Sequence, residues 1–361
     1  MFSSTDHIYM SLALQLAEKG LYGTSPNPRV GCVIVRDGRI VGSGWHERAG
    51  QPHAEINALN VAGTAAQGST VYVSLEPCSH HGRTLPCAAA LIEAGITRLV
   101  AAMQDPNPLV AGRGCALLKQ AGIKVEIGLM EAEAHALNIG FVARMTRKRP
   151  WVRMKIAASL DGKTALNNGA SQWITSEAAR RDGHGFRARS CAVLTGIGTV
   201  LADDPQLTVR HVKTFRQPLR VVVDRNLDIP ITAKALQGEG EFIFTATPSE
   251  GKIAALHDAG ARVMVLPEEN GNVHLGRMMQ MLADSEINEV LVEAGAKLNG
   301  SLLSAGLVDE LVIYLAPYLI GDAARGMLKL PELTDLAEKC ALKIFDLRTI
   351  GPDIRIIARF S

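Results

Sequence analysis

Cysteine, aromatic residues and net charge are all scarce in this sequence. Six cysteines among 361 residues are too few for the disulfide scaffold of a small secreted protein. No signal peptide opens the chain, and no apolar run approaches the roughly 18–20 residues that cross a bilayer. We therefore expect a cytoplasmic protein with no membrane partner. A charge of +2 and 4% aromatic residues argue against a nucleic-acid binder but allow a small anionic substrate.

The length of 361 residues suggests two domains of roughly 100–200 residues each. The basic stretch that ends in Pro150 marks the boundary, which predicts domains at 1–147 and 148–361. In each half, strand-like segments alternate with helical ones, which indicates two α/β domains. The first half opens with an amphipathic helix at 5–20 and a hairpin at 29–45, turned by Asp37 and Gly38. Further strands are predicted at 69–78, 97–103, 123–128, 151–159, 191–198, 219–224, 241–247, 261–267, 289–295 and 309–317.

The segment PCSHHGRTLPC raises the question of whether Cys78 and Cys87 form a disulfide, bind a metal or do neither. A reducing compartment disfavours the disulfide. His53 precedes a predicted helix start, Cys78 ends a strand segment, and Cys87 opens another helix. Three ligands that leave a fourth position to water are typical of a catalytic zinc. Glu55 then has the position of a proton shuttle, in the order of residues that marks zinc deaminases.

The cysteine spacing departs from the usual CxxC by six inserted residues, and the insertion carries polar side chains. We expect His80 and Arg83 to bind a phosphate or a pyrimidine carbonyl, although a solvated loop is the alternative. The remaining cysteines lack such partners and are interpreted as small buried residues; they are Cys32, Cys115, Cys191 and Cys340.

Two glycine turns in the second half favour a nucleotide site. The segment 195–210 runs from a strand end through Gly196 and Gly198 into a helix, and the segment 293–303 repeats that arrangement. Leu201 occupies the place of the third glycine of a Rossmann fingerprint, so this is not a Rossmann site. Each turn alone is more often an ordinary strand-to-helix connection. If the nucleotide carries a ribose 2′-phosphate, as NADPH does, Arg225 after the strand at 219–224 is our candidate to bind it.

The segments NPRVGCVIV, HAE and PCSHHGRTLPC resemble the deaminase half of the bifunctional riboflavin-biosynthesis deaminase/reductase family. The resemblance implies a three-layer, cytidine-deaminase-like fold. It makes His53, Cys78 and Cys87 the ligands of one Zn²⁺ and Glu55 the proton shuttle. Asn27, His80 and Arg83 match positions that contact the substrate. Leu85 stands where the family more often has proline.

The segments KIAASLDGKTAL and SQWIT resemble the reductase half of the same family, which has a dihydrofolate-reductase-like fold. With both halves in order, the resemblance covers nearly the whole chain. It implies a homodimer through the reductase domain. Substrate positions fall on Ser171, Arg187, Leu207, Arg210 and Glu293, the two arginines suiting a phosphate. NADPH positions fall on Ala157, Trp173, Thr199, Asp203, Gly295, Ala296, Lys297, Leu298, Asn299, Gly300 and Ser301.

The predicted activity has two steps. Zinc-dependent hydrolysis would remove the amine from 2,5-diamino-6-(5-phosphoribosylamino)pyrimidin-4(3H)-one, the substrate that the resemblance implies. NADPH would then reduce the ribosyl group to a ribityl chain, with Lys155 and Asp161 as possible aids to proton movement. Two alternatives stay open. A nucleic-acid base deaminase would lack a use for the second half, and a non-catalytic zinc module would need a fourth ligand, His80 or His81.

Overall fold

The computed structural model describes residues 2–79, 86–108, 110–238 and 240–360. The chain divides into two compact units, Met1–Lys148 and Arg149–Ser361. The helices of unit 1 are α1 (Ser4–Lys19), α2 (Ala54–Ala62), α3 (Cys87–Glu93), α4 (Arg113–Gln120), α5 (Glu131–Leu137) and α6 (Ile139–Arg147). Its strands are β1 (Gly31–Arg36), β2 (Arg39–Trp45), β3 (Thr70–Val73), β4 (Arg98–Ala101) and β5 (Lys124–Ile127).

The unit 1 strands form one sheet in the order β2-β1-β3-β4-β5. β1 runs antiparallel to β2 and β3, while β3, β4 and β5 are parallel. The predicted turn joins β1 to β2, with positive φ at both Asp37 and Gly38, as a two-residue hairpin turn of type I′ requires. α1 begins as predicted, with a capping box between Ser3 and Asp6.

Glycines let one helix approach each face of this sheet. A Cβ on Gly31 would lie 2.0 Å from the Ala13 carbonyl oxygen of α1. A Cβ on Gly44 would lie 2.8 Å from the Ala54 carbonyl oxygen of α2. Gly31 and Gly44 are not a cross-strand pair, since Gly44 faces Cys32 in the ladder, so the two glycines point to opposite sides. Unit 1 is thus a three-layer α/β/α domain, as expected.

The helices of unit 2 are α7 (Glu177–Arg189), α8 (Ile197–Asp203), α9 (Glu250–Asp258), α10 (Leu275–Asp284) and α11 (Ala296–Ser304). Its strands are β6 (Trp151–Ser159), β7 (Lys163–Ala165), β8 (Ala192–Gly196), β9 (Leu219–Val223), β10 (Phe242–Thr245), β11 (Arg262–Val265), β12 (Glu289–Val292), β13 (Glu310–Ala316), β14 (Arg325–Gly326), β15 (Leu342–Ile350) and β16 (Asp353–Phe360). The main sheet has the order β11-β10-β9-β8-β12-β6-β13-β16-β15.

The strands from β11 to β13 in that sheet are parallel, and the hairpin β15–β16 continues it antiparallel. The carboxyl ends of β6, β8, β9 and β12 therefore share one edge, where open α/β sheets bind ligands. A buried ion-pair network holds the sheet centre. The guanidinium of Arg153 contacts Glu289 and Glu310, which in turn pair with Arg189 and Arg359.

The structure corrects three expectations about local structure. β3 ends at Val73 and not at residue 78, because the Gly31 N–H donates to the Ser74 hydroxyl and not to the Ser74 carbonyl oxygen that would continue the ladder. Cys340 is exposed, whereas the other three cysteines predicted to be small core residues are buried. The sequence analysis missed β7, β14 and the hairpin β15–β16. β15 leaves apolar residues exposed on its surface, so it carries no alternating burial pattern to detect.

The contact between the glycines of β2 and the helix α2 can be tested through metal affinity. In Gly44→Ala, the new methyl group would meet the backbone of α2 at contact distances that real Cβ atoms do not show, so the start of α2 must move. We expect metal binding at His53 to weaken by at least about tenfold, since ligands tolerate little displacement. Competition with a chelator measures this. The control is Ser43→Ala on the opposite face of β2, where unchanged metal affinity is expected; equal affinities for both variants would contradict the packing explanation.

Candidate functional site

Three metal-binding side chains converge at the starts of two helices in unit 1. His53 is the N-cap residue of α2, Cys87 is the first residue of α3, and Cys78 lies in the loop after β3. His53 Nδ1 lies 3.3 Å from Cys87 Sγ and 3.5 Å from Cys78 Sγ. The three donor atoms all lie within 4.8 Å of one another. Tetrahedral bonds of about 2.0–2.3 Å separate zinc ligands by about 3.5 Å, so this donor set fits zinc.

Cys78 and Cys87 are free thiols, so they do not form the disulfide that their spacing left open. The Cys87 thiol donates a hydrogen bond to the Cys78 sulfur, which lowers the pKa of Cys78. The Cys87 backbone N–H also donates to that sulfur, at 3.3 Å. The pKa of Cys87 is raised because its proton is held by Cys78 and its side chain is buried. One thiolate therefore forms readily, and the thiolate is the form that binds metal.

Glu55 lies in the first turn of α2, two residues after His53, with only 3% of its surface exposed. Burial raises the pKa of its carboxyl to about 7, although the nearby His53 opposes the shift. A carboxyl that titrates near neutral pH can accept a proton and give it up in the same cycle. The position and the pKa together suit a proton shuttle.

Asn27 lies in the loop before β1, beside a histidine that the sequence analysis missed. Its amide nitrogen lies 3.1 Å from Nε2 of His46, and Nδ1 of His46 lies 3.1 Å from the Pro52 carbonyl oxygen. Because a carbonyl oxygen only accepts, Nδ1 carries the proton and Nε2 accepts from Asn27. Burial lowers the pKa of His46, which agrees with a neutral ring. A lone histidine after a strand gave no spacing signal in the sequence.

Glu76, of the EPC segment, accepts backbone hydrogen bonds and has a structural role. Its buried carboxylate accepts hydrogen bonds from the backbone N–H groups of Asp105 (3.2 Å), Gly112 (2.9 Å) and Cys115 (3.1 Å). These bonds tie the loop that carries Cys78 to the start of α4. The predicted substrate contacts His80 and Arg83, together with His81 and Leu85, lie outside the described residues.

The two glycine turns of unit 2 lie side by side. β8 leads into α8 through Gly196, β12 leads into α11 through Gly295, and the two strands are neighbours in the sheet. A Cβ on Gly196 would lie 3.2 Å from the side chain of Leu298, so the two turns touch. The predicted strand-to-helix geometry is confirmed at both turns.

Within the predicted cofactor turn, the residues differ in access. Gly295, Lys297 and Ser301 are exposed, and Ala296 and Leu298 are half-buried. The Asn299 side chain is buried and donates to the Ala294 carbonyl oxygen at 3.1 Å. A Cβ on Gly300 would lie 1.9 Å from the Lys329 carbonyl oxygen. Asn299 and Gly300 therefore hold the turn in place by packing inward.

An ion pair links two predicted substrate positions. Arg187, on α7, donates from Nε to Glu293 Oε1 at 2.5 Å and from Nη2 to Oε2 at 3.0 Å. Arg187 Nη1 also donates to the Thr208 carbonyl oxygen at 3.0 Å. Lys155 Nζ lies 3.8 Å from Glu293 Oε2. The pKa of Glu293 is held at about 2, because these cations outweigh the effect of burial, which alone would raise it.

The segment after α8 brings the other predicted substrate positions to this ion pair. Leu207 is buried with positive φ, and Arg210 is exposed, its guanidinium near Thr208 Oγ1 (3.3 Å). The Arg210 backbone N–H donates to His184 Nδ1 at 3.2 Å. The His184 ring makes an edge contact with His211, with centroids 4.6 Å apart. The sequence held a signal for His184, since it lies three residues before Arg187 on one helix face.

The remaining predicted positions are distributed along the same sheet edge. Ala157 lies near the end of β6, Thr199 and Asp203 lie on α8, and Arg225 follows β9. Arg225 is exposed, and its guanidinium reaches towards Gly271. Ser171 and Trp173 belong to the loop before α7, and Trp173 is 68% exposed.

Asp161 is unsuited to the proton role that the sequence suggested for it. Its carboxylate accepts from the Ser159 hydroxyl (2.5 Å) and from the backbone N–H groups of Ile320 (3.1 Å) and Gly321 (2.7 Å). These hydrogen bonds lower the pKa of Asp161 to about 2, so it stays ionised at neutral pH. It anchors the turn after β6.

Buried His184 makes the stability of unit 2 depend on pH. Burial, with help from Arg187 and Arg210, lowers the pKa of His184 to about 4. As the pH falls, this histidine takes up a proton in the unfolded chain before it does so in the folded chain. The free energy of unfolding is therefore highest above pH 6.5 and decreases as the pH falls towards 4. We expect His184→Asn, whose Oδ1 can still accept from Arg210, to reduce by about 1–2 kcal/mol the loss of unfolding free energy between pH 7 and 5. Urea unfolding measures it; an unchanged pH slope would contradict the assignment.

Comparison with known proteins matches both units to known families. Residues 3–103 match the cytidine and deoxycytidylate deaminase zinc-binding region, and residues 150–356 match the RibD C-terminal domain. The riboflavin biosynthesis protein RibD of Escherichia coli is 50% identical over 97% of this chain and 98% of its own. That of Haemophilus influenzae is 47% identical over 98% and 97%.

Solved structures agree over the full length. RibD of Acinetobacter baumannii superposes with a TM-score of 0.93 at 45% identity, covering 99% of both chains. A diaminohydroxyphosphoribosylaminopyrimidine deaminase/5-amino-6-(5-phosphoribosylamino)uracil reductase from Thermotoga maritima gives 0.86 at 32% identity, with the same coverage. Within the described residues, no helix has the length and apolar character to span a membrane. The chain belongs to the RibD family of bifunctional riboflavin biosynthesis enzymes, which deaminate and then reduce a pyrimidine intermediate with Zn²⁺ and NADPH.

Proposed function

We propose that unit 1 deaminates 2,5-diamino-6-(5-phosphoribosylamino)pyrimidin-4(3H)-one. Unit 2 then reduces the ribosyl side chain of the product, giving 5-amino-6-(5-phosphoribitylamino)uracil. The observation that carries the first step is the meeting of His53, Cys78 and Cys87 beside buried Glu55. The Thermotoga maritima relative carries both activities in its name. In this assignment, residues 1–147 form the deaminase domain and residues 148–361 the reductase domain.

In the deaminase site, His53, Cys78 and Cys87 would hold a zinc ion. When bound, that ion would supply an activated water, because zinc lowers the pKa of its water to about 7. Glu55 takes a proton from the water and gives it to the exocyclic nitrogen. The new C–O bond replaces the C–N bond, so one water is consumed and ammonia leaves. Asn27, held by His46, contacts the pyrimidine, with His80 and Arg83 as further contacts.

Replacement of Glu55 separates the enzyme from a non-catalytic zinc module. In Glu55→Ala and Glu55→Gln, the three ligands remain, so we expect one zinc per chain as in the wild type. Ammonia release should fall by about 10²–10⁴-fold, the range that a proton-transfer group contributes. Zinc analysis and an ammonia assay measure the two quantities. NADPH oxidation on the deaminated substrate is the control, and wild-type ammonia release by either variant would favour the non-catalytic module.

In the reductase site, bound NADPH would supply the hydride for C1′ of the ribosyl group. The C1′–O4′ bond breaks and O4′ takes a proton, so that the sugar opens to a ribityl chain. The protein holds the nicotinamide and the sugar in reaction geometry. The cofactor would be held along the shared strand edge by Ala157, Trp173, Thr199, Asp203 and the turn Gly295–Ser301. Arg225, after β9, would bind the 2′-phosphate. Its exposed position on the same edge supports this assignment.

The substrate phosphate binds at the cluster around Arg187 and Arg210, with Ser171 and Leu207 at its margin. Lys155, Arg187 and Arg210 face one carboxylate, that of Glu293. Two guanidinium nitrogens of Arg187, Nε and Nη2, already donate to Glu293. Arg210 is therefore the cation better placed to meet the phosphate. An excess of positive charge at this point suits a monoester that carries about −1.5 to −2 charges.

The protein assembles as a homodimer through unit 2, and the surface of β15 supports this proposal. β15 is an edge strand of the nine-stranded sheet. It exposes the apolar residues Ile344, Phe345 and Leu347, at 57%, 52% and 62% of their surface. A long apolar edge strand pairs with another chain unless it is protected.

The six free cysteines support a reducing, cytoplasmic location.

A charge placed on β15 tests the assembly. We expect Ile344→Asp with Leu347→Asp to convert a dimer to a monomer, because both carboxylates would be buried without partners at the interface. Sedimentation velocity over a range of concentrations reports the mass. Ile8→Asp, at an equally exposed apolar residue of α1 in unit 1, is the matched control. A dimer that persists in the β15 variant, or a wild-type monomer, would contradict this interface.

A further inference from the structure

The loop before α7 presents a large aromatic side chain to solvent. Trp173 is 68% exposed, although an indole is among the most costly side chains to leave in water. The guanidinium carbon of Arg180 lies 4.4 Å from the centroid of this ring. An exposed indole stacked on a cation is a platform that a planar ligand can share.

Arg180 also fixes the backbone beside that indole. Its Nη1 donates to the Thr175 carbonyl oxygen at 2.6 Å. One turn of α7 therefore contacts both the ring of Trp173 and the chain two residues further on. Because a guanidinium is planar and carries several donors, it can make a hydrogen bond and a stacking contact together.

The rest of the loop is anchored from two other elements. The Tyr318 hydroxyl, after β13, donates to the Ile174 carbonyl oxygen. Asp353, at the start of β16, accepts from the backbone N–H of Ser176 at 2.8 Å and from its hydroxyl at 2.6 Å. These contacts hold the backbone of residues 174–176, whereas Arg180 reaches the indole. The loop is therefore rigid where it meets the helix, and the orientation of Trp173 depends on Arg180.

We propose that Arg180 is a positioning residue for NADPH. It holds the Trp173 ring in the orientation that the cofactor meets, so less side-chain freedom is lost when NADPH binds. This inference rests on the proposed placement of NADPH against Trp173 and extends it to a residue with no direct cofactor contact. The expected signature is weaker NADPH binding with the hydride-transfer geometry retained.

The test compares Arg180→Ala with Arg181→Ala in the full-length protein. Arg181 lies on the same helix turn, but its guanidinium is exposed and pairs with Glu177 at 3.1 Å. Both variants lose one positive charge, and the control leaves the loop intact. We expect Arg180→Ala to raise the Kd of NADPH by up to about tenfold, because the freed indole must then be ordered when the cofactor binds. The KM for NADPH should rise similarly while kcat stays near that of the wild type.

NADPH binding is followed by cofactor fluorescence, and ammonia release by the deaminase site reports that each variant is otherwise intact. Arg180→Lys, which keeps the charge but not the planar group, should recover only part of the affinity and serves if the alanine variant misfolds. In a Trp173→Ala background, Arg180→Ala should have little further effect, because the two act as a unit.

The outcomes separate this inference from the proposal beneath it. Wild-type NADPH affinity in Trp173→Ala would overturn both the cofactor position and the role of Arg180. Weak binding in Trp173→Ala, with equal affinities for Arg180→Ala and Arg181→Ala, would overturn only the role of Arg180. Fully additive effects of Arg180→Ala and Trp173→Ala would do the same.

Discussion

The close packing of α2 on the glycine face of β2 is the constraint on which the zinc chemistry depends. Gly42 and Gly44 leave no side chain between strand and helix, so the α2 backbone lies directly on the sheet. His53 and Glu55 occupy the first turn of that helix, and the helix position decides where both side chains point. Cys78 has a separate support, since Glu76 ties its loop to the start of α4. The site thus rests on a helix packed against the sheet and on a loop held by a buried carboxylate, which together fix the positions of its side chains.

The reductase site follows a different rule, which is that parallel strands end at a common edge. β8 and β12 deliver their glycine turns next to each other, and β6 and β12 place Lys155 and Glu293 within 3.8 Å. The ion pair from Arg187 then fixes α7 against this edge. A buried carboxylate with two cations is costly unless its partners are held in place. The network therefore contributes order to the site more than net stability.

The sequence predicted most of the fold because its signals are local. Amphipathic spacing, the Asp37–Gly38 turn and the strand-to-helix glycines each act over a few residues, and the structure shows them where expected. The cluster of His53, Cys78 and Cys87 was predictable because a histidine, a glutamate and two cysteines in that order are rare by chance. His46 and Glu76 were not, since their roles depend on partners that the fold brings close, such as Asn27. Within the hairpin β15–β16, β15 buries neither face and so lacks the alternation that marks a strand, whereas β16 does bury one face.

A nearly neutral protein can still recognise a phosphorylated substrate, because recognition depends on local and not on total charge. The chain carries a formal charge of +2, whereas Lys155, Arg187 and Arg210 all lie close enough to Glu293 to interact with its carboxylate. Screening over about 8–10 Å hides distant charges from a bound phosphate, while partly buried groups at the site are screened much less. His184 adds no charge at neutral pH, since its pKa is about 4. In the proposed site, the positive charge is confined to one short stretch of the sheet edge, an arrangement that suits a small anion better than a nucleic acid.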